Sequence, residues 1–168
     1  MKIHLMLMLL FAAMTVLAFD PVRLRAVACI DGDTFVGSKD ARVVRLWGID
    51  APELDQPWGE VSKAALIALT HRRQLNVEPK GDSWGRLVGV ARRGKTEIGL
   101  ELIKMGLAWH DPRYAPKAKE YAEAEAEAQK EKQGFGATTN PLLRGTGASS
   151  RTTTPTKMIE RMGILKFS

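Results

Sequence analysis

Arg42-Val43-Val44-Arg45-Leu46-Trp47-Gly48-Ile49-Asp50-Ala51-Pro52-Glu53 carries the pattern from which the architecture is read. Val44 and Leu46 alternate with Val43, Arg45 and Trp47, the period of a strand with one face on a core. Arg45 and Asp50 have opposite parity, so a regular strand would aim them at opposite faces. Gly48, or the bend into Ala51-Pro52, must re-aim the aspartate if both serve one site. Upstream, Val22 to Ile30 reads as a strand, Asp31-Gly32-Asp33 as a turn and Thr34 to Val36 as a second strand, before a turn at Gly37-Ser38-Lys39-Asp40. Downstream, Glu60 to His71 is helical, with Val61, Ala64, Ala65 and Leu69 at i, i+3, i+4 and i+8. Gln74 to Glu78 is a fourth strand, Pro79 to Gly85 a turn, and Arg86 to Ala91 a fifth strand closing at Arg92-Arg93-Gly94. Glu97 to Met105 is a short helix ended by Gly106, and Pro116 to Gln133 a long one stopped at Gly134. Three strands, a helix, two strands and two helices predict an α+β domain: a five-stranded OB-type β-barrel with three α-helices, the first plugging one end.

A chain of 168 residues accommodates one such domain and a tail. Met1-Lys2 supplies one positive charge, Ile3 to Phe19 carries none with His4 neutral, and Val16-Leu17-Ala18 ends the stretch on a small residue. Residues 1–18 are expected to be a secretory signal peptide cleaved near Ala18, which makes the protein secreted or periplasmic without stable membrane association afterwards. An uncleaved membrane anchor is the alternative. The domain is expected over 19–136. From Ala137 the chain is rich in Thr, Ser, Gly and Arg, and 137–168 is expected to be a disordered tail, with Met158 to Phe167 apolar enough to dock or form a weak helix.

Cys29 is the single cysteine, so stability must come from the core and no internal disulfide is available. It lies in Val27-Ala28-Cys29-Ile30, where a buried structural thiol is expected. The net charge of +6 hints at a polyanion, but residues 137–168 alone contribute +4 and residues 19–136 only +1. The motifs carry more than the charge does.

Asp33, Asp50 and Glu53 with Arg45 and Arg86 form an inventory suited to phosphodiester chemistry. Carboxylate oxygens hold a hard divalent cation, a spare carboxylate handles water, and guanidinium forks hold phosphate oxygens. Neither the cysteine nor the histidines form a ligand cluster, which argues against zinc. Asp31 and Asp82 are read as turn formers, and Arg42, Arg92 and Arg93 as solvated strand-edge charges with at most a minor share in phosphate contact. Trp47 and Trp109 are read as packing residues, and Tyr114 stands evenly between packing and base contact. His71 and His110 have no visible partner. The acidic side chains Glu123, Glu125 and Glu127 are read as a solvated helix surface.

Taken in order, Ile30-Asp31-Gly32-Asp33-Thr34, Val44-Arg45-Leu46, Gly48-Ile49-Asp50-Ala51-Pro52-Glu53, Asp82-Ser83-Trp84-Gly85-Arg86, Gly106-Leu107-Ala108-Trp109, Tyr114 and the charged helix ending at Gly134 resemble the staphylococcal nuclease (thermonuclease-like) family. The resemblance spans residues 22–136. It implies a calcium-dependent, secreted endonuclease acting on DNA and RNA, single strands preferred, with 3′-phosphate and 5′-hydroxyl products, and a monomer is expected. By the same resemblance Asp33 and Asp50 bind Ca2+ through carboxylates and Ala51 through its carbonyl. Glu53 positions or deprotonates the attacking water, Arg45 and Arg86 bind the scissile phosphate, and Trp84 and Tyr114 contact substrate. The sequence departs from the staphylococcal enzyme in a shorter loop after Glu53, in Ser83-Trp84 where a lysine-tyrosine pair stands, and in Gly134-Phe135-Gly136 at the helix end. Two other readings stay open: a catalytically silent OB-fold module binding single-stranded nucleic acid or a protein partner, and a processing factor for one nucleic acid addressed by the tail. The carboxylates weigh against the silent module, because they repel phosphate unless a cation sits among them.

Overall fold

A computed structural model describes residues 20–137. The expected signal at 1–18 lies outside them, as does the expected tail at 137–168 apart from Ala137, which ends the 3-10 turn Gly134–Ala137. The elements are β1 (Val22–Cys29), β2 (Thr34–Gly37), β3 (Val43–Leu46), β4 (Ile49–Asp50), α1 (Gly59–Thr70), β5 (Gln74–Ser83), β6 (Arg86–Arg93), β7 (Thr96–Glu97), α2 (Ile98–Lys104), β8 (Trp109–His110) and α3 (Lys119–Lys130), followed by a 3-10 turn at Gly134–Ala137.

β1 pairs antiparallel with β2 and with β5, β2 with β3, and β5 with β6, and a parallel β3–β6 pairing closes the ring. This is the five-stranded OB barrel, with three helices packed on it. Alternation does the sorting, as in β1, where Leu24 and Ala26 are buried while Arg23 and Arg25 face out. Phe35, Val44, Leu46, Leu75 and Val77 fill the interior and meet Leu66 of α1 and Ile98, Leu102 and Ile103 of α2. Among the described residues no helix is long and apolar enough to cross a membrane.

The turn expected over Pro79–Gly85 is shorter. β5 runs on to Ser83 through a register irregularity between Pro79 and Gly81, which accommodates a proline that has no N–H to donate. The reversal falls on Trp84-Gly85 alone, with φ of 56° and 76°. α3 begins at Lys119, because Asp111 to Ala118 is occupied by successive hydrogen-bonded turns. The buried stripe of α1 is Val61, Ser62, Ala65, Leu66 and Thr70. Ser62 is buried because its hydroxyl donates to the Leu107 carbonyl at 2.8 Å. The Cys29 thiol is half-buried against the Thr70 hydroxyl at 3.7 Å, and burial pushes its pKa up.

Gly48 resolves the parity question. β3 stops at Leu46, Gly48 adopts φ 70°, and the chain re-enters extended structure as β4, paired with β8. A Cβ at Gly48 would sit 2.5 Å from that of Ala115, so the turn requires both the missing side chain and the left-handed backbone.

Candidate active site

Asp33 closes the turn after β1, where its N–H donates to Asp31 Oδ1 at 3.0 Å. Only 2% of Asp33 is exposed. Its Oδ1 accepts from Arg45 Nη1 at 2.5 Å and from the Thr34 hydroxyl at 2.7 Å, and its Oδ2 from the Ala51 N–H at 3.2 Å. Arg45 reaches past Asp33 with Nη2, which lies 3.1 Å from Asp50 Oδ1. One guanidinium therefore bridges carboxylates from two separate elements, the β1–β2 turn and β4. Burial pushes the Asp33 carboxyl up to about 7, against the pull of Arg45. Desolvation works to lower Arg45 in turn, yet Asp33 and Asp50 hold it above its usual value.

Arg45 pairs with Thr34 on β2 and with Val88 on β6. Strand alternation puts Arg86 on the same side of β6 as Val88, hence on the outer face that Arg45 shares. Arg86 is half-buried, and its Nε donates to the Ser83 carbonyl at 3.3 Å. Asp82 secures this hairpin by accepting from the Gly85 N–H at 3.1 Å.

Glu53 is exposed, but its backbone is pinned. Its N–H donates to Gln56 Oε1 at 3.0 Å and its carbonyl accepts from the Gln56 N–H at 2.9 Å. The first residue of α1 packs so close that a Cβ on Gly59 would lie 1.9 Å from that carbonyl. Gln56 and Gly59, to which the sequence pattern gave no role, thus set where Glu53 stands.

Trp84 and Tyr114 are 95% and 68% exposed. The β4–β8 ladder pairs Asp50 with Trp109, and the Asp111 N–H donates to the Gly48 carbonyl at 2.9 Å, so the segment carrying Tyr114 leaves the barrel beside Asp50. There Arg113 forks onto Asp111 at 2.9 and 2.6 Å and lies 5.8 Å from the Tyr114 ring centre. Trp84 sits at the tip of the β5–β6 hairpin, and among the described residues no interaction ties it to Asp33, Arg45 or Asp50.

The remaining aromatics and histidine pack. Trp47 meets Tyr121 edge-on at 6.0 Å, Trp109 stacks on Phe135 at 4.1 Å, and His110 Nε2 lies 2.9 Å from the Ala115 carbonyl.

Among the described residues no group of three or more His, Cys, Asp or Glu side chains gathers as a ligand set. The donors available are the Asp33 and Asp50 carboxylates and the Ala51 carbonyl. All are hard oxygens, which fits a cation such as calcium or magnesium that fills the rest of its shell with water and phosphate oxygen.

The family described as "Staphylococcal nuclease homologue" matches residues 43–137. The chain is 34% identical over 147 residues to a Haemophilus influenzae protein named "Uncharacterized endonuclease", covering 81% of this chain and 78% of that one. It is 30% identical over 136 residues to a "Micrococcal nuclease" of Shigella flexneri, covering 74% and 78%. A "Probable staphylococcal-like nuclease" of Oryza sativa subsp. japonica is 32% identical over 125 residues, 74% of this chain, which spans 33% of that protein's length.

Proposed function

The chain belongs to the staphylococcal nuclease homologue family, and on that premise we propose that it is a calcium-dependent endonuclease, hydrolysing phosphodiester bonds of DNA and RNA to 3′-phosphate and 5′-hydroxyl ends. It is a nuclease of this family. Calcium, the product ends, a preference for single strands, action as a monomer, and secretion through a leader cleaved near Ala18 complete the reading.

The observation that carries it is the Arg45 bridge between Asp33 and Asp50. A buried carboxylate and a half-exposed one, held by a single partly exposed guanidinium, make a site that can take a cation and a phosphate together. Asp33, Asp50 and the Ala51 carbonyl are the groups that would hold calcium. When bound there, calcium supplies Lewis acidity to a phosphoryl oxygen and a place for water. Arg45 and Arg86 offer paired N–H donors to the phosphate oxygens as charge builds on them. Glu53, exposed on a pinned loop, holds or deprotonates the attacking water; both roles place its carboxylate on the water side of the phosphate. Trp84 and Tyr114 offer exposed rings for bases to stack on.

Digestion of single-stranded DNA by the purified protein in calcium and in EGTA, with Glu53→Ala alongside, tests the reading. The expected outcome is cleavage that EGTA abolishes and that Glu53→Ala reduces by roughly a hundredfold or more, the scale of a positioned acid or base. Protein that binds the strand but leaves it intact in calcium would instead mark a silent binding module.

A further inference from the structure

The described domain is nearly neutral, with nineteen basic and eighteen acidic side chains over residues 20–137, yet the charges are not mixed. No acidic residue occurs from Pro21 to Ile30 or from Val61 to Val77. The fold places these two segments side by side. Arg23 pairs with Asn76 and Arg25 with Gln74 across β1–β5, His71 bridges to Ala26, and the Arg72 N–H donates to the Ala26 carbonyl at 3.4 Å. Arg23, Arg25, Arg72 and Arg73 are all exposed, and none takes part in an ion pair of the described structure. Four unpaired guanidinium groups on adjoining strands and one connecting turn raise the local potential where a polyanion binds.

Arg72 adds a second, independent observation. The Arg73 N–H donates to the Thr70 carbonyl at 3.0 Å, His71 has φ −56° and ψ 126°, and Arg72 has φ 55°. This is a type II turn whose third position favours glycine. An arginine there strains the backbone while presenting its charge to solvent, and strained residues concentrate where a ligand is met.

Strand β2 links this face to the site. The Arg25 carbonyl accepts from the Ser38 N–H at 2.7 Å, and β2 runs from there back to Asp33. Along the way, exposed Ala28 pairs with half-buried Val36, which pairs with half-buried Val43 on the face of Arg45, with exposed Val27 in the register shift beside them and no acidic group among these residues. Ser38 to Asp33 spans roughly 17 Å at about 3.3 Å per strand residue, the length of roughly five stacked nucleotides at about 3.4 Å each.

We propose that Arg23, Arg25, Arg72 and Arg73 form a phosphate-binding exosite that holds the backbone of a single-stranded nucleic acid several nucleotides from the bond being cut. Its relation to the cut bond rests on the nuclease reading; its grip on phosphate does not. The exosite holds phosphates without reading bases, so it acts on chain length and salt dependence rather than on sequence.

The test compares the full chain with an Arg23→Gln/Arg25→Gln/Arg72→Gly/Arg73→Gln variant. Arg72→Gly relaxes the turn, so thermal stability serves as the folding control and should hold. Binding of a fluorescein-labelled strand of about 20 nucleotides is followed by anisotropy in EDTA across a salt series. The variant is expected to bind roughly tenfold or more weakly at about 0.1 M salt, and the slope of log K against log salt should fall by about 2 to 3, since each phosphate neutralised on a single strand contributes about 0.7. In calcium, hydrolysis of a nitrophenyl thymidine phosphodiester, too short to span the distance, should be unchanged while KM for long single strands rises. An unchanged salt slope would overturn the exosite, as would equal loss on the short and long substrates. Wild-type protein inert toward both substrates in calcium would sink the nuclease reading, and the salt slope in EDTA would still decide the exosite.

Discussion

At the residue scale, the Asp33–Arg45–Asp50 group sets what each side chain can do. Asp33 is buried, so its ionised form depends on Arg45 and on the donors from Thr34 and Ala51. A buried carboxylate with such partners is costly to disturb, and substitutions there mix folding with function. Arg86 is the cleaner probe, since it is half-buried and its described hydrogen bond goes only to the Ser83 carbonyl. Arg86→Ala should lower kcat by roughly 10²–10³, about 3–4 kcal/mol of transition-state stabilisation, as removal of one oxyanion donor does elsewhere. Its melting temperature should stay near that of the wild type. Steady-state kinetics beside a thermal melt separate the two, and substantial residual kcat would remove Arg86 from the phosphate. Residue identities at this scale were legible in order along the chain. The part Gln56 and Gly59 play in holding Glu53 was not, because it rests on contacts within the folded loop.

Among the elements, the β5–β6 hairpin is the clearest case of local sequence misleading and tertiary pairing correcting. Pro79 and Gly81 read as a turn, yet both lie in the β5–β6 ladder, on a strand that β1 holds from its other side nearer the start. The true reversal puts Trp84 at φ 56° with its ring almost wholly in solvent. A non-glycine there is strained, and an exposed ring contributes little packing, so Trp84→Gly should leave stability unchanged or raise it by about 1 kcal/mol. If the ring stacks on substrate bases, KM for single-stranded DNA should rise several-fold with kcat little changed. A loss of stability without any change in KM would show that Trp84 serves the hairpin alone.

Across the whole molecule, a polar chain ties the helices to the barrel. Glu78 on β5 pairs with Lys80 at 2.5 Å and with Arg92 on β6 at 3.2 Å, Arg92 pairs with Glu97 at 2.5 Å, and the Tyr121 hydroxyl of α3 donates to Glu97. Burial, then the bond to Glu97, holds the Tyr121 phenol well above its usual value. A pKa raised in the folded state gives stability that is complete below the unfolded value of about 10 and is lost as pH rises through the folded one. Tyr121→Phe should therefore remove none of the native protein's tyrosinate absorbance near pH 11. It should cost about 1–2 kcal/mol at neutral pH by leaving a largely buried carboxylate oxygen without its donor, with part of that difference vanishing in alkaline solution. Denaturant melts at neutral pH and near pH 11 measure it. The sequence by itself determined the five-stranded barrel class, the three helices and the succession of elements along the chain, because strand alternation, turn residues and motif spacing are properties of the chain. Only the tertiary structure decided that β8 sets Trp109 beside Asp50 and that β1 and the α1–β5 turn bring four arginines together. Both depend on pairing between segments far apart in the chain, and no local pattern encodes which strand a residue will meet.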